Sequence, residues 1–170
     1  IREIVGEENY NERWARIIAD HLRAATHMIS DGVVPKNIDQ GYILRRLIRR
    51  AIREAYKMGY EQPFTTQIAD IYIEQFSGIY ESVRNNAEKI KTELSIEEGK
   101  FSKTLKDGVK EFEKMFNKSI GTMDITEWTR LVDEVKVGEQ PVIYFGWKDA
   151  FNLFQTYGFP FEMTFELLKE

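Results

Sequence analysis

The sequence predicts a mainly α-helical protein of two packed helical subdomains with at most one short strand pair. Three observations predict it. Apolar residues recur at steps of three and four along most of the chain, the period of one face of an α-helix. Turn and stop signals built from Gly, Pro, Ser and Asp separate these runs at helix-length intervals. Only residues 142–145, Val-Ile-Tyr-Phe between Pro141 and Gly146, read as a strand. One strand cannot make a sheet, so it pairs with a short segment such as residues 135–137 or lies as an extended linker.

Residues 8–29 carry Trp14, Ile17, Ile18, His21, Leu22, Ala25, Met28 and Ile29 on one stripe, which predicts a first long helix. Ser30-Asp31-Gly32 supplies turn chemistry, and Pro35 biases Val34 away from helix, so residues 32–39 form an exposed connection carrying Asn37 and Asp39. From Gly41 a second stripe runs through Ile43, Leu44, Leu47, Ile48, Ala51, Ile52 and Ala55, with Gly59 as its C′ residue and Pro63 soon after. Residues 67–76 make a short amphipathic helix, which Gly78 breaks. A longer charged helix starts at Tyr80, and Ser95-Ile96-Glu97-Glu98 has capping-box spacing that marks a restart or kink near Leu94. Phe101, Leu105, Val109, Phe112 and Phe116 continue it as a helical hairpin or spacer, whose mixed charges over residues 88–118 read as a solvated face. Asp124 and Glu127 have capping-box spacing for a helix bearing Trp128, Leu131, Val132 and Val135. Residues 147–156 are helical, Tyr157-Gly158-Phe159-Pro160 stops them, and Thr164 caps a last helix. The division expected is residues 1–118, with a basic helix and a long hairpin, and residues 119–170, a smaller C-terminal subdomain.

With 170 residues, 42% of them hydrophobic and 13% aromatic, the chain can bury a substantial core. No apolar run approaches the roughly 20 residues that span a bilayer, and the N-terminus lacks the apolar core of a signal peptide, so the expectation is a cytoplasmic protein without a membrane partner. The absence of Cys excludes a disulfide framework, a thiolate metal site and a Cys nucleophile. His21 and His27 are six apart, unlike a helical metal pair, and His21 on the apolar stripe reads as a hydrogen-bonded core residue. No Gly-rich phosphate loop or nucleophile elbow occurs, and Glu97 and Glu98 point to different sides of their helix, so neither a catalytic residue nor a metal site is predicted. Ile1 in place of Met, and a last residue, Glu170, inside an apparent helix, predict a piece of a longer polypeptide.

The second helix holds the chemistry. Arg45, Arg49 and Arg53 stack at i, i+4 and i+8, with Arg46, Arg50 and Lys57 beside them. Like charges one turn apart cost a few tenths of a kcal/mol per pair, an arrangement solvation alone does not need. In a chain of net charge −4, this cationic face predicts a localised anionic partner, and a phosphate backbone is the most economical one. The alternative is a helix that packs its Arg stems on neighbours and pairs with acidic residues elsewhere.

Residues 16–24 (RIIADHLRA), 31–35 (DGVVP), 41–51 (GYILRRLIRRA) and 155–160 (QTYGFP) together resemble the middle, tRNA-recognition domain of the alanyl-tRNA synthetases. The resemblance is close over residues 14–60 and 147–165, and between them it rests on helical pattern and spacing. It implies a tRNA-binding part of an alanine-tRNA ligase that grips the acceptor stem of tRNA for alanine, reads a G·U wobble pair and delivers the 3′ end to the active site. It also implies a preceding class II catalytic domain, where ATP and Mg²⁺ act, and commonly a following editing domain. The fragment alone, with no cofactor of its own, should then be inactive. Asn37 matches the Asn of the family's P-x-N loop, which contacts the wobble pair. In such a pair the guanine 2-amino group loses its partner and faces the minor groove, which is wide and shallow in A-form RNA, so an Asn carbonyl on an exposed loop can accept from it. Arg45, Arg46, Arg49, Arg50 and Arg53 would hold the tRNA backbone and set register. An Asn serving its own loop through an Asx-turn is the structural alternative.

The second reader of the family, an Asp directly before T-Y-G-F-P, is Gln155 here. A Gln donates as well as accepts, so it could take the guanine amino proton or reach a uracil oxygen, or it caps or packs near Tyr157 and leaves Asn37 as the main reader. The resemblance also implies an Arg at the position of Gln40, so one phosphate contact of the family is expected to be missing here. A helical protein-interaction module, its Arg face docked on an acidic partner, is the competing function.

Overall fold

The computed structural model describes residues 1–121, 147–157, 159 and 164, and every regular element among them is helical. The elements are α1 (Arg2–Val5), α2 (Glu12–Ser30), α3 (Asp39–Lys57), α4 (Thr65–Phe76), α5 (Glu81–Asn85), α6 (Ala87–Gly121) and α7 (Trp147–Tyr157). The mainly α class is as the periodicity predicts. The strand expected at residues 142–145, its partner at 135–137 and the helix expected after Asp124 lie outside the described residues. Two compact units, Ile1–Lys103 and Thr104–Glu170, meet within α6.

The first unit is built on the pairing of α2 with α3. Asn11 sets the start of α2, its Oδ1 accepting from the Trp14 amide at 3.1 Å, so the helix begins after the cap and not at Glu8. Both helices end the same way. Gly32 at φ 96° donates to the Ile29 carbonyl while Val33 donates to Met28, and Gly59 at φ 73° donates to Tyr56 while Tyr60 donates to Ala55. These are Schellman closures, and the left-handed residue each requires is a glycine for want of a Cβ penalty. Ile18, Leu22, Ala25 and Ile29 of α2 bury against Leu44, Ile48, Ala51, Ile52 and Ala55 of α3. Each fully buried Leu or Ile is worth about 1.5–3 kcal/mol over an exposed one, and the three alanines let the backbones approach. The α3 stripe is narrower than its sequence suggests: Ile43 is half exposed, and the buried arc extends to Glu54 and Met58.

His21 sits on α2 facing this pairing, half buried, with Nδ1 enclosed and without a hydrogen-bond partner among the described residues, so the hydrogen bond expected for it is not made there. Burial foremost, and then the charge of Arg50, lowers its pKa below 6.5.

No break occurs near Leu94, because α6 runs uninterrupted through Ser95. Capping-box chemistry acts only where the preceding residues leave helical geometry, and here Ile90, Leu94, Phe101 and Leu105 keep one continuous buried stripe. Glu97 and Glu98, read as solvated, are buried. Glu98 caps another helix. The α4 N-cap, Phe64, has no capping side chain, and the Phe64 amide instead donates to Glu98 Oε1 at 3.0 Å, while the Thr65 hydroxyl donates to Oε2 at 2.7 Å and the Thr65 amide lies 3.3 Å from Oε1. A carboxylate at a helix N-terminus meets both the free amides and the positive end of the dipole.

In the second unit, Phe159 is fully buried beside Gly108, whose hydrogen stands where any Cβ would overlap the Phe159 ring. The Phe159 amide donates to the Leu153 carbonyl at 3.2 Å and turns the chain back after α7 stops at Tyr157, the stop predicted from Tyr157-Gly158-Phe159-Pro160. Thr164 is helical and buried, and its hydroxyl has no partner among the described residues, so the cap predicted for it is not seen there.

Glu98→Ala should lower the unfolding free energy by about 2–4 kcal/mol, since it strands buried amide donors, and Glu98→Gln should cost less because one acceptor survives; urea unfolding followed by circular dichroism measures both. For His21 the folded state disfavours the proton that the unfolded chain binds near pH 6.5. Stability should therefore fall as pH drops through and below that value, and His21→Gln should flatten this part of the pH profile of unfolding.

Candidate nucleic-acid interface

The connection between α2 and α3 folds tightly onto the start of α3. The Lys36 amide donates to the Gly41 carbonyl at 3.1 Å, and the Tyr42 amide donates to Ile38 at 3.0 Å. A Cβ at Gly41 would stand 2.6 Å from the Val34 carbonyl oxygen and 2.8 Å from Lys36 Cβ, so the return of the loop over the helix requires glycine. Asp39, the first residue of α3, holds φ 52°, a left-handed conformation that Asp tolerates better than most residues at a cost of order 1 kcal/mol. The result is a short exposed prominence at Lys36, Asn37 and Ile38, flanked by an open concavity of about 470 Å³ against residues 31–34 and 38–41. The Asn37 carboxamide makes no hydrogen bond among the described residues, so the Asx-turn alternative is not realised.

The arginines of α3 divide into two sets. Arg45 and Arg49 turn toward α6, where their Nε groups lie 3.2 and 2.6 Å from the same oxygen, Oε1 of Glu97. Glu97 is 5% exposed and each arginine side chain 23%, and the Arg49 guanidinium also stands 5.0 Å over the Phe101 ring. Arg53, 12% exposed, places Nη2 2.8 Å from buried Glu54, which Lys57 approaches at 3.6 Å. For Arg45, Arg49 and Arg53 the alternative reading, pairing with acidic residues, therefore holds, and the i, i+4, i+8 row picked from the sequence is the inner row. About 100° around the helix, Tyr42, Arg46 and Arg50 make an outer row with the same spacing, all exposed; Tyr42 is 49% accessible and the Arg50 side chain 50%, its Nε 4.0 Å from Glu54. Tyr42 is the member that charge counting misses, and its signal in the sequence is only its phase with Arg46 and Arg50.

Among the described residues, Glu97 meets two arginines, Arg45 and Arg49, with one carboxylate, so that cluster keeps a net positive charge. Isolated buried carboxylates are costly, and each here is compensated by more than one cation. Gln155 is exposed on α7 in the second unit, beside Thr156, whose hydroxyl donates to Asn152 Oδ1 at 2.8 Å. The structure thus brings Asn37 and the arginines together in the first unit, and Gln155 stands in the other. Among the described residues no cluster of His, Asp and Glu is arranged to hold a metal ion, and no helix is long and apolar enough to cross a membrane.

A family model described as tRNA synthetases class II (A) matches residues 1–170. The chain is 38% identical over 155 residues to an alanine-tRNA ligase of Thermotoga maritima, 39% to that of a Synechococcus strain and 36% to that of Fusobacterium nucleatum. Each alignment covers 91% of this chain and 15% or 16% of the relative, so the chain spans about a sixth of the length of the curated relatives it matches. With the model matched along the whole sequence, the chain belongs to the class II (A) tRNA synthetase family.

Proposed function

We propose that this chain is a tRNA-binding segment of an alanine-tRNA ligase, which grips the acceptor stem of tRNA for alanine along α3 and reads its G·U wobble pair with Asn37. The observation that carries the reading is an exposed carboxamide, without a hydrogen bond among the described residues, on a tightly braced loop directly ahead of a helix that carries five arginines. The wide minor groove of A-form RNA admits a loop of this size, and the guanine 2-amino group freed by wobble pairing is a donor matched to the Asn37 carbonyl. Backbone contacts set position and carry no sequence information, the part assigned to the arginines.

Within that part the geometry sorts them. Arg46 and Arg50 lie on the outer crest with Tyr42, so they are the first phosphate contacts; Arg45 and Arg49 reach Glu97 through Nε, which leaves the Nη edge of each guanidinium for an oxygen of the backbone. Arg53, held low against Glu54, contributes field more than contact. Gln155 is the proposed second base reader, its amide suited to the guanine amino group or to a uracil oxygen. The chain supplies binding and register in this reading, with the catalytic and editing parts of the parent ligase as its covalent partners.

In the full-length synthetase, Asn37→Ala should lower the ratio of kcat/KM for G·U over G·C acceptor stems by the equivalent of about 1–3 kcal/mol, the usual worth of a base contact. An equal loss on both stems would reject base reading by Asn37. Arg50→Ala should instead weaken both stems alike and reduce the slope of log affinity against log salt by about 0.9, the share of one phosphate. An unchanged slope would remove Arg50 from the backbone contacts, and a flat salt response of the unsubstituted chain would favour a protein partner over RNA.

A further inference from the structure

Glu97 holds two arginines by the same nitrogen. Its Oε1 accepts from Arg45 Nε at 3.2 Å and from Arg49 Nε at 2.6 Å, and Phe101 supports the Arg49 plane from one side. Nε is the inner nitrogen of a guanidinium. A carboxylate bound there fixes the plane and leaves the two Nη nitrogens on the opposite edge, the fork that matches a phosphate in bidentate fashion. One carboxylate against two guanidiniums also leaves the cluster cationic. A free arginine loses rotamer freedom when it binds a phosphate, a cost already met when a buried anchor holds it.

We propose that Glu97 is a positioning residue for RNA backbone binding: from its buried place on α6 it orients Arg45 and Arg49 so that their Nη edges engage phosphate oxygens of the bound strand. This rests on the reading of α3 as an RNA-binding helix, and adds to it a residue that touches no RNA. The sign of its effect separates the proposal from simple electrostatics. A carboxylate near phosphates repels them, so if Glu97 merely competed for the arginines, removing its charge would tighten binding. If it positions them, removal weakens binding although the net charge becomes more positive.

The test is fluorescence anisotropy with a labelled RNA hairpin ending in a single-stranded 3′ tail, titrated with the full chain and its variants at several salt concentrations. Glu97→Gln should bind about tenfold more weakly, the scale of freezing two rotamer-rich side chains on binding. Its salt slope should also become shallower, by about 0.9 for each phosphate no longer neutralised, which a merely structural ion pair between helices would not produce in a variant with unchanged circular dichroism. Equal or tighter binding by folded Glu97→Gln overturns the proposal. Should that variant fail to fold, Arg49→Lys decides: it keeps the charge but its single ammonium cannot hold Glu97 and present a fork together, so binding should weaken several-fold with a shallower slope, and unchanged binding overturns the proposal. Absence of salt-dependent binding by the unsubstituted chain would bring down the RNA-binding reading itself, and with it this assignment, whereas the first two reversals leave that reading standing.

Discussion

A carboxylate removed from water must be met by cations or by amide donors, and α6 carries two such groups in succession. Glu97 is met by Arg45 and Arg49 of α3, and Glu98 by the first amides of α4 and the Thr65 hydroxyl. Adjacent residues on a helix point about 100° apart, so this one dipeptide ties two different helices to a third. Apolar packing of Ile90, Leu94 and Phe101 against their surroundings supplies most of the stabilisation, but it has no direction. The carboxylates supply the direction. A sliding or rotation of α3 or α4 along α6 would strand a buried charge, a far larger cost than a modest loosening of apolar packing.

The same constraint explains what the sequence makes legible. Helices α2 and α3 are plain in it because each carries its own period and its own stop signal, Gly32 and Gly59 appearing where a left-handed residue is needed. Such information is local. The partners of Arg45 and Arg49 lie about fifty positions along the chain, within a helix so rich in charge that Glu97 and Glu98 look like any of its solvated residues. The Ser95-to-Glu98 spacing that resembles a cap is a coincidence of composition, overruled by an unbroken apolar stripe. Gly108 carries no local signal of its part either, since its missing side chain is the space that Phe159 fills.

Of the candidate interface, the sequence shows the ingredients and not their allotment. Pro35 and Asn37 mark an exposed bend correctly, because proline chemistry acts on its neighbours alone. Six cations on one helix are plain in the sequence, but which of them meet carboxylates inside the protein depends on packing. The inner set, Arg45, Arg49 and Arg53, and the outer set, Arg46 and Arg50, differ by one position in the chain and by most of their accessibility.

The interleaving of the two sets has a consequence for how this segment can change over time. Tyr42, Arg46 and Arg50 span two helical turns, a ruler of about 12 Å, and the inner arginines are graduations on the same ruler seen from behind. A substitution alters one mark. An insertion or deletion of a single residue inside α3 turns everything beyond it by about 100°, which would swing inward cations to the surface and leave Glu97 facing apolar side chains. A change of length inside α3 is therefore far more disruptive than a change of one of its exposed residues.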